Sequence, residues 1–115
     1  MKKVLLVEDD KQTIEVVEYI LKEYGFSVHT HLTGLNVDEA IKAYEPNLIL
    51  LDVRLPGKSG TQVCKELKQN SDIPIILFSA EQDQKKLLNE CKADAFLGKP
   101  FDINELILSI SLHAN

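Results

Sequence analysis

The sequence is short of positive charge, of cysteine and of long apolar runs. Lys and Arg total 13 against 18 Asp and Glu, a net charge of -5. No basic stripe runs through them, which argues against direct nucleic-acid contact by this domain. The opening Met1-Lys2-Lys3-Val4-Leu5-Leu6-Val7 imitates a signal peptide, but its apolar run stops after four residues at Glu8, Asp9 and Asp10. No other run approaches the length of a membrane span, so no membrane contact is expected. Cys64 and Cys91 lie far apart without metal-ligand spacing. They read as reduced, buried thiols of a cytoplasmic protein rather than as a disulfide framework. Repeats, low-complexity stretches and linkers are also missing, and 115 residues suffice for one core but not two. Residues 1–115 are therefore expected to form a single domain.

What the chain does contain is an alternation of short apolar runs with helix-period segments, the pattern of βα units on a parallel sheet. Its centre is Leu48-Ile49-Leu50-Leu51-Asp52, four branched residues suited to a strand buried on both faces, ending on a carboxylate. Pro56, Gly57 and Gly60 then break regular structure. Lys3 to Val7 is the first predicted strand. After it Asp10 can cap a helix carrying Ile14, Val17, Ile20, Leu21 and Tyr24, which Gly25 stops. Phe26 to Thr30 is a weaker strand. Asn36 with Glu39 resembles a capping box, and Leu35 with Ala40 a hydrophobic staple, for a helix whose face is Val37, Ala40, Ile41 and Tyr44. Ser59 with Gln62 opens a helix with Val63, Cys64 and Leu67 inward. Pro74 to Phe78 is the fourth strand, Leu87, Leu88 and Cys91 mark a short helix, and Ala95 to Gly98 is the fifth strand. Asp102 with Glu105 starts a last helix striped by Ile103, Leu106, Ile107 and Ile110.

Polar residues fall where these strands end: Glu8 and Asp9 after the first, Asp52 on the third, Ser79 after the fourth, Lys99 after the fifth. In a parallel sheet these ends share one edge, where open α/β sheets bind ligands. Crowded carboxylates raise one another's pKa unless a cation intervenes. A few hard oxygen ligands suit Mg²⁺ with retained waters.

The chain resembles the receiver domain of bacterial response regulators. The matching pieces are Leu6-Val7-Glu8-Asp9-Asp10, Leu50 to Pro56 with Gly60, Phe78-Ser79-Ala80, and Lys99-Pro100-Phe101, in order and each at a predicted strand end. The resemblance implies an α/β, flavodoxin-like (βα)5 doubly wound five-stranded parallel sheet in strand order 2-1-3-4-5. It implies that Asp52 accepts a phosphoryl group from the phosphohistidine of a sensor histidine kinase or a phosphotransfer protein. Asp9 and Asp52 would ligate Mg²⁺ directly, Glu8 through water, and the Arg54 carbonyl would complete the protein's share. Lys99 would pair with the carboxylate and then the phosphoryl group, across a cis Lys99-Pro100 peptide. Ser79 would move onto a phosphoryl oxygen, with Phe96 as the switch aromatic packing inward behind it. Such a domain is not an enzyme acting on a released substrate, since it catalyses only its own phosphorylation and dephosphorylation. Its partners would be an output domain or downstream protein, with homodimerisation on phosphorylation a further expectation.

Plainer roles exist for several of these residues. Acids after a first strand often only cap a helix, Ser79 could cap the next one, and Phe96 could be ordinary packing. His29 and His31 share a strand face but lack a third metal ligand, so they read as surface residues. The chain also departs from the family: the segment from Ser79-Ala80 to Lys99 is short, and Lys92 stands where Gly is common. Three other readings compete. A pseudo-receiver would bind proteins without phosphorylation. A haloacid-dehalogenase-type phosphatase would need an Asp where Arg54 stands, and a flavodoxin would need a Ser/Thr/Gly-rich phosphate loop after the first strand.

Arg54 and Glu81 lie two positions beyond the acceptor and the switch hydroxyl and are expected to pair across the rim, restricting water attack on a phosphoryl group. Replacing both with Ala is expected to shorten the lifetime of the phosphorylated protein, timed by loss of labelled phosphate. An unchanged lifetime removes the rim pair from the mechanism.

Overall fold

Leu48 to Leu51 leave no side chain suited to water, and each of the four is fully buried. Each such side chain contributes about 1.5–3 kcal/mol relative to exposure, enough for this strand to sit at the middle of a sheet. The computed structural model describes residues 1–80 and 84–114. Among the described residues the elements are β1 Lys3–Val7, α1 Lys11–Glu23, β2 Ser27–His31, α2 Val37–Tyr44, β3 Leu48–Asp52, α3 Gly60–Asn70, β4 Ile75–Ser79, α4 Gln84–Cys91, β5 Ala95–Gly98 and α5 Ile103–His113. The strands run parallel in order β2-β1-β3-β4-β5, the doubly wound flavodoxin-like arrangement expected from the sequence.

Strand alternation divides the core in two. Val4, Leu6, Leu48, Leu50, Ile76, Phe78 and Leu97 face α1 and α5. Leu5, Val7, Ile49, Leu51, Ile75 and Leu77 face Val37 of α2, Val63 and Cys64 of α3, and Cys91 of α4. β1, β3 and β4 are buried on both sides, so their sequences are continuous apolar runs, whereas the edge strand β2 is half exposed.

Several local expectations shift for physical reasons. Phe26 belongs to the end of α1 rather than to β2: with Gly25 at φ 87°, Gly25 N–H bonds the Lys22 carbonyl and Phe26 N–H bonds the Leu21 carbonyl at 2.9 Å. This is a Schellman closure, and it turns Tyr24 out to solvent. Pro74 has no N–H to donate and precedes β4, although its carbonyl accepts from Ile49. Asn36 lies at φ 61°, ψ 27° and makes no side-chain cap, because a capping box needs an extended N-cap. Asp38 and Glu39 in the first turn complement the helix dipole instead. Leu35 is half exposed and lies against Gly57 rather than stapling the helix start. Ser59 accepts from the Gln62 amide, but the Gln62 side chain turns to Glu66. Ile103 is half exposed at the first turn of α5. The side chain of Leu88 lies outside the described residues.

The amino edge of the sheet is fastened by polar contacts. Asp94 Oδ2 accepts from Lys68 Nζ at 2.6 Å and from the Ile75 amide at 2.8 Å. Asn47 Oδ1 accepts from the Lys3 amide, and Lys3 Nζ donates to the Tyr44 carbonyl. At the carboxyl edge close backbone packing does this work. A β-carbon on Gly60 would collide with the carbonyl of Asp52, and one on Gly34 with the carbonyl of Lys58.

Two glycine substitutions separate sterics from backbone preference. Gly60→Ala is expected to cost about 2 kcal/mol or more, because backbone must move. Gly25→Ala, at positive φ in open space, is expected to cost about 1 kcal/mol. Urea unfolding of both variants checks the order, and equal losses would contradict it.

Candidate functional site

Residue parity builds the site. Glu8 continues the Val4, Leu6 series, Asp52 the Leu48, Leu50 series, and Lys99 the Ala95, Leu97 series, so all three project toward the α1 and α5 side of the sheet. Phe78 shares that face. Pairing of the Glu8 amide with the His31 carbonyl at 3.0 Å, and of the Lys99 amide with the Ser79 carbonyl at 2.8 Å, carries the sheet register one step past the strands.

Glu8 is fully buried, yet each of its oxygens is bonded. Oε1 accepts from Lys99 Nζ at 2.8 Å, and Oε2 accepts from the amides of Asp9 and Asp10 at 3.0 and 3.2 Å. Lys99 Nζ also stands 3.7 Å from Asp52 Oδ1 and 4.5 Å from the centre of the Phe78 ring. The aromatic face adds an attraction for the ammonium and leaves it a narrow choice of positions. The Lys99-Pro100 peptide is cis. Asp10 points elsewhere: it caps α1, and bonds from the hydroxyl and amide of Thr13 hold its carboxyl below the ordinary value.

Asp52 is the unbalanced group. Burial, followed by its contact with Glu8, pushes its pKa up to about 7, against the pull of Lys99 and of a bond from the Arg54 amide. Carboxylate oxygens of Glu8, Asp9 and Asp52 lie within 4.8 Å of one another. Lys99 sets one positive charge against these three carboxyl groups, and an all-oxygen donor set with an exposed member, Asp9, fits a hard divalent cation such as Mg²⁺.

The remaining predicted residues lie around this cluster. Ser79 is buried at the end of β4, and alternation puts it on the opposite face from Asp52, with Leu77 and the half-buried Phe96. Arg54 is exposed at the rim. Glu81 lies outside the described residues. His29 packs against Tyr44 and His31 bonds the Leu35 carbonyl, in keeping with surface roles. The sequence reading did not anticipate Phe78 beneath Lys99 or Gly60 against Asp52. Parity could have found the first, since Phe78 occupies the same face as the acids.

A family model described as "Response regulator receiver domain" matches residues 4–111. Among solved structures, the BeF3-activated N-terminal receiver domain of RstA from Klebsiella pneumoniae is similar, at 27% identity over 97% of each chain with a TM-score of 0.92. So is the receiver domain of a signal transduction histidine kinase from Syntrophus aciditrophicus, at 29% identity over 97% of this chain and 89% of that one, TM-score 0.89. NtrX from Brucella abortus matches at 26% identity over 98% of this chain and 27% of that one, TM-score 0.86.

The raised pKa of Asp52 fixes the sign of a stability effect. The folded chain holds a proton on Asp52 more tightly than the unfolded chain does, so stability falls as pH rises from 3.8 to about 7. Asp52→Asn removes that penalty and is expected to stabilise the metal-free protein at neutral pH by about 1–3 kcal/mol. Millimolar Mg²⁺ is expected to raise the thermal midpoint of the parent and leave the variant unchanged. Thermal unfolding in EDTA and in Mg²⁺ measures both, and a destabilised variant in EDTA would show that Asp52 is not under electrostatic strain.

Proposed function

Since this chain belongs to the response regulator receiver domains, we propose that Asp52 is its phosphoryl acceptor and that residues 1–115 act as one receiver unit. The observation that carries this reading is the ammonium of Lys99 held between Glu8 and Asp52, at 2.8 and 3.7 Å, beside the gathered oxygens of Glu8, Asp9 and Asp52. A carboxylate oxygen of Asp52 attacks the phosphorus of a phosphohistidine on a sensor kinase or phosphotransfer protein. The P–N bond breaks and the imidazole leaves as the acyl phosphate forms. Because the transition state is loose, the protein contributes in-line positioning and countercharge rather than covalent chemistry.

Asp9 and Asp52, with the Arg54 carbonyl, would hold Mg²⁺. Glu8, whose oxygens are already bonded by Lys99 and two amides, would contribute to holding the ion through water. When bound, the ion neutralises charge spreading over the phosphoryl oxygens. Lys99 shifts its second contact from Asp52 to a phosphoryl oxygen while keeping Glu8, with Phe78 limiting how far it travels. The new group brings roughly two negative charges and further acceptors, which recruit Ser79. Ser79 and Phe96 lie on the same face of β4 and β5, so movement of the first opens room for the second, and the change passes to an output domain or downstream protein. The chain then works as a signalling switch in the cytoplasm, catalysing only its own modification.

Intact-mass measurement with acetyl phosphate and Mg²⁺ tests this. One labile adduct of about 80 Da is expected on the parent and none on Asp52→Asn. Lys99→Ala is expected to slow its appearance at least about tenfold, as for loss of one charge-stabilising donor. Absence of the adduct from the folded parent would turn the reading toward a protein-binding pseudo-receiver.

A further inference from the structure

Topology gives Lys99 a long way to travel. It leaves the sheet at the end of β5, an outermost strand, whereas Asp52 ends β3 and Glu8 follows β1. With neighbouring strands about 4.8 Å apart, its flexible stem has to cross β4 before the ammonium reaches either carboxylate. The β4 residue in that path, on the same face of the sheet, is Phe78, paired in the ladder with Asp52 on one side and Leu97 on the other. The stem therefore runs across an aromatic ring, and Nζ comes to rest 4.5 Å from its centre.

Three contacts then define where the ammonium sits. Glu8 Oε1 accepts from Nζ at 2.8 Å, which by itself lets Nζ swing around that oxygen. Asp52 Oδ1, at 3.7 Å, is beyond hydrogen-bond length and restrains the swing only weakly. Water competes for the charge, since the Lys99 side chain keeps 24% of its surface exposed. The ring opposes that escape, because the negative face of its quadrupole lies under the cation. It is also held still: Phe78 is fully buried, and the Phe101 ring packs edge-on against it at 6.3 Å and 66°. Core packing explains why position 78 is apolar. It does not call for an aromatic face beneath a lysine, and a branched aliphatic residue would fill most of the space without one.

We propose that Phe78 is a positioning residue for phosphoryl acceptance, its ring face holding the Lys99 ammonium against Asp52, where charge develops on the incoming group. This rests on the reading of Asp52 as the acceptor and adds to it a residue that acts only through Lys99. No bond to Phe78 forms or breaks. The ring raises the share of time the ammonium spends in place, and transfer needs its countercharge already there. A weaker face therefore slows the step and leaves its product unchanged.

Fluorine separates this role from packing, because it withdraws charge from the ring face with little change of shape. Mono-, di- and pentafluorophenylalanine are placed at position 78 of the full chain, and the adduct formed with acetyl phosphate and Mg²⁺ is timed by intact mass. The rate is expected to fall stepwise with fluorination, by roughly three- to tenfold at the pentafluoro ring, and by a similar factor in Phe78→Leu. In the unmodified parent, the ε-methylene protons of Lys99 are expected to resonate upfield of those of the other lysines, shifted by the ring current, and to lose that shift in Phe78→Leu. A rate that is flat across the fluorine series would overturn the proposal while leaving the acceptor reading intact. A Lys99 signal lying among those of the other lysines would overturn it too, and is read on the parent even if a variant fails to fold. A parent that takes no adduct would sink the acceptor reading and this one with it.

Discussion

One ammonium shared between two buried carboxylates is the constraint around which this protein is arranged. Lys99 satisfies Glu8 at 2.8 Å and reaches Asp52 less closely at 3.7 Å. Glu8 is further quieted by two amides at the start of α1. The remaining imbalance falls on Asp52, which burial drives toward its protonated form. A core of this size would be more stable with an apolar residue there. Its retention makes sense if an incoming cation and a transferable anion complete the charge, and the rest of the fold serves to keep that vacancy of charge in place.

The scaffold does so with backbone rather than with side chains. The β3 to α3 loop returns so tightly that Gly60 rests on the Asp52 carbonyl and bonds back to the Val53 carbonyl at 2.8 Å. The β2 to α2 loop packs on it in turn, Gly34 bonding the Pro56 carbonyl at 3.0 Å. Side-chain packing is thereby less needed to hold these loops beside Asp52.

The sheet, its order and the family were legible in the sequence because they rest on period and order. Runs such as Leu48 to Leu51 permit few alternatives, and motifs at the ends of the first, third, fourth and fifth strands point to one shared edge. Parity could have said more than was asked of it, since counting from Val4, Leu48, Phe78 and Ala95 puts Glu8, Asp52 and Lys99 on one face and Ser79 on the other. Local caps were less legible. Asn36 has the composition of a capping box but a left-handed backbone that defeats it, and Ser59 forms half of one because Glu66 competes for Gln62. Pairings that join distant helices, such as Cys64 with Cys91, leave no periodic trace at all.

The clamp at Asp94 has a mechanical meaning. One carboxylate oxygen ties Lys68 at the end of α3 to the first residue of β4, just ahead of β5, at the sheet edge opposite the acids. The strands are thus pinned by side chains at one end and by close backbone packing at the other. One oxygen thereby joins a helix and two strands at the end of the sheet away from Asp52, so the two ends of the sheet are secured by different means.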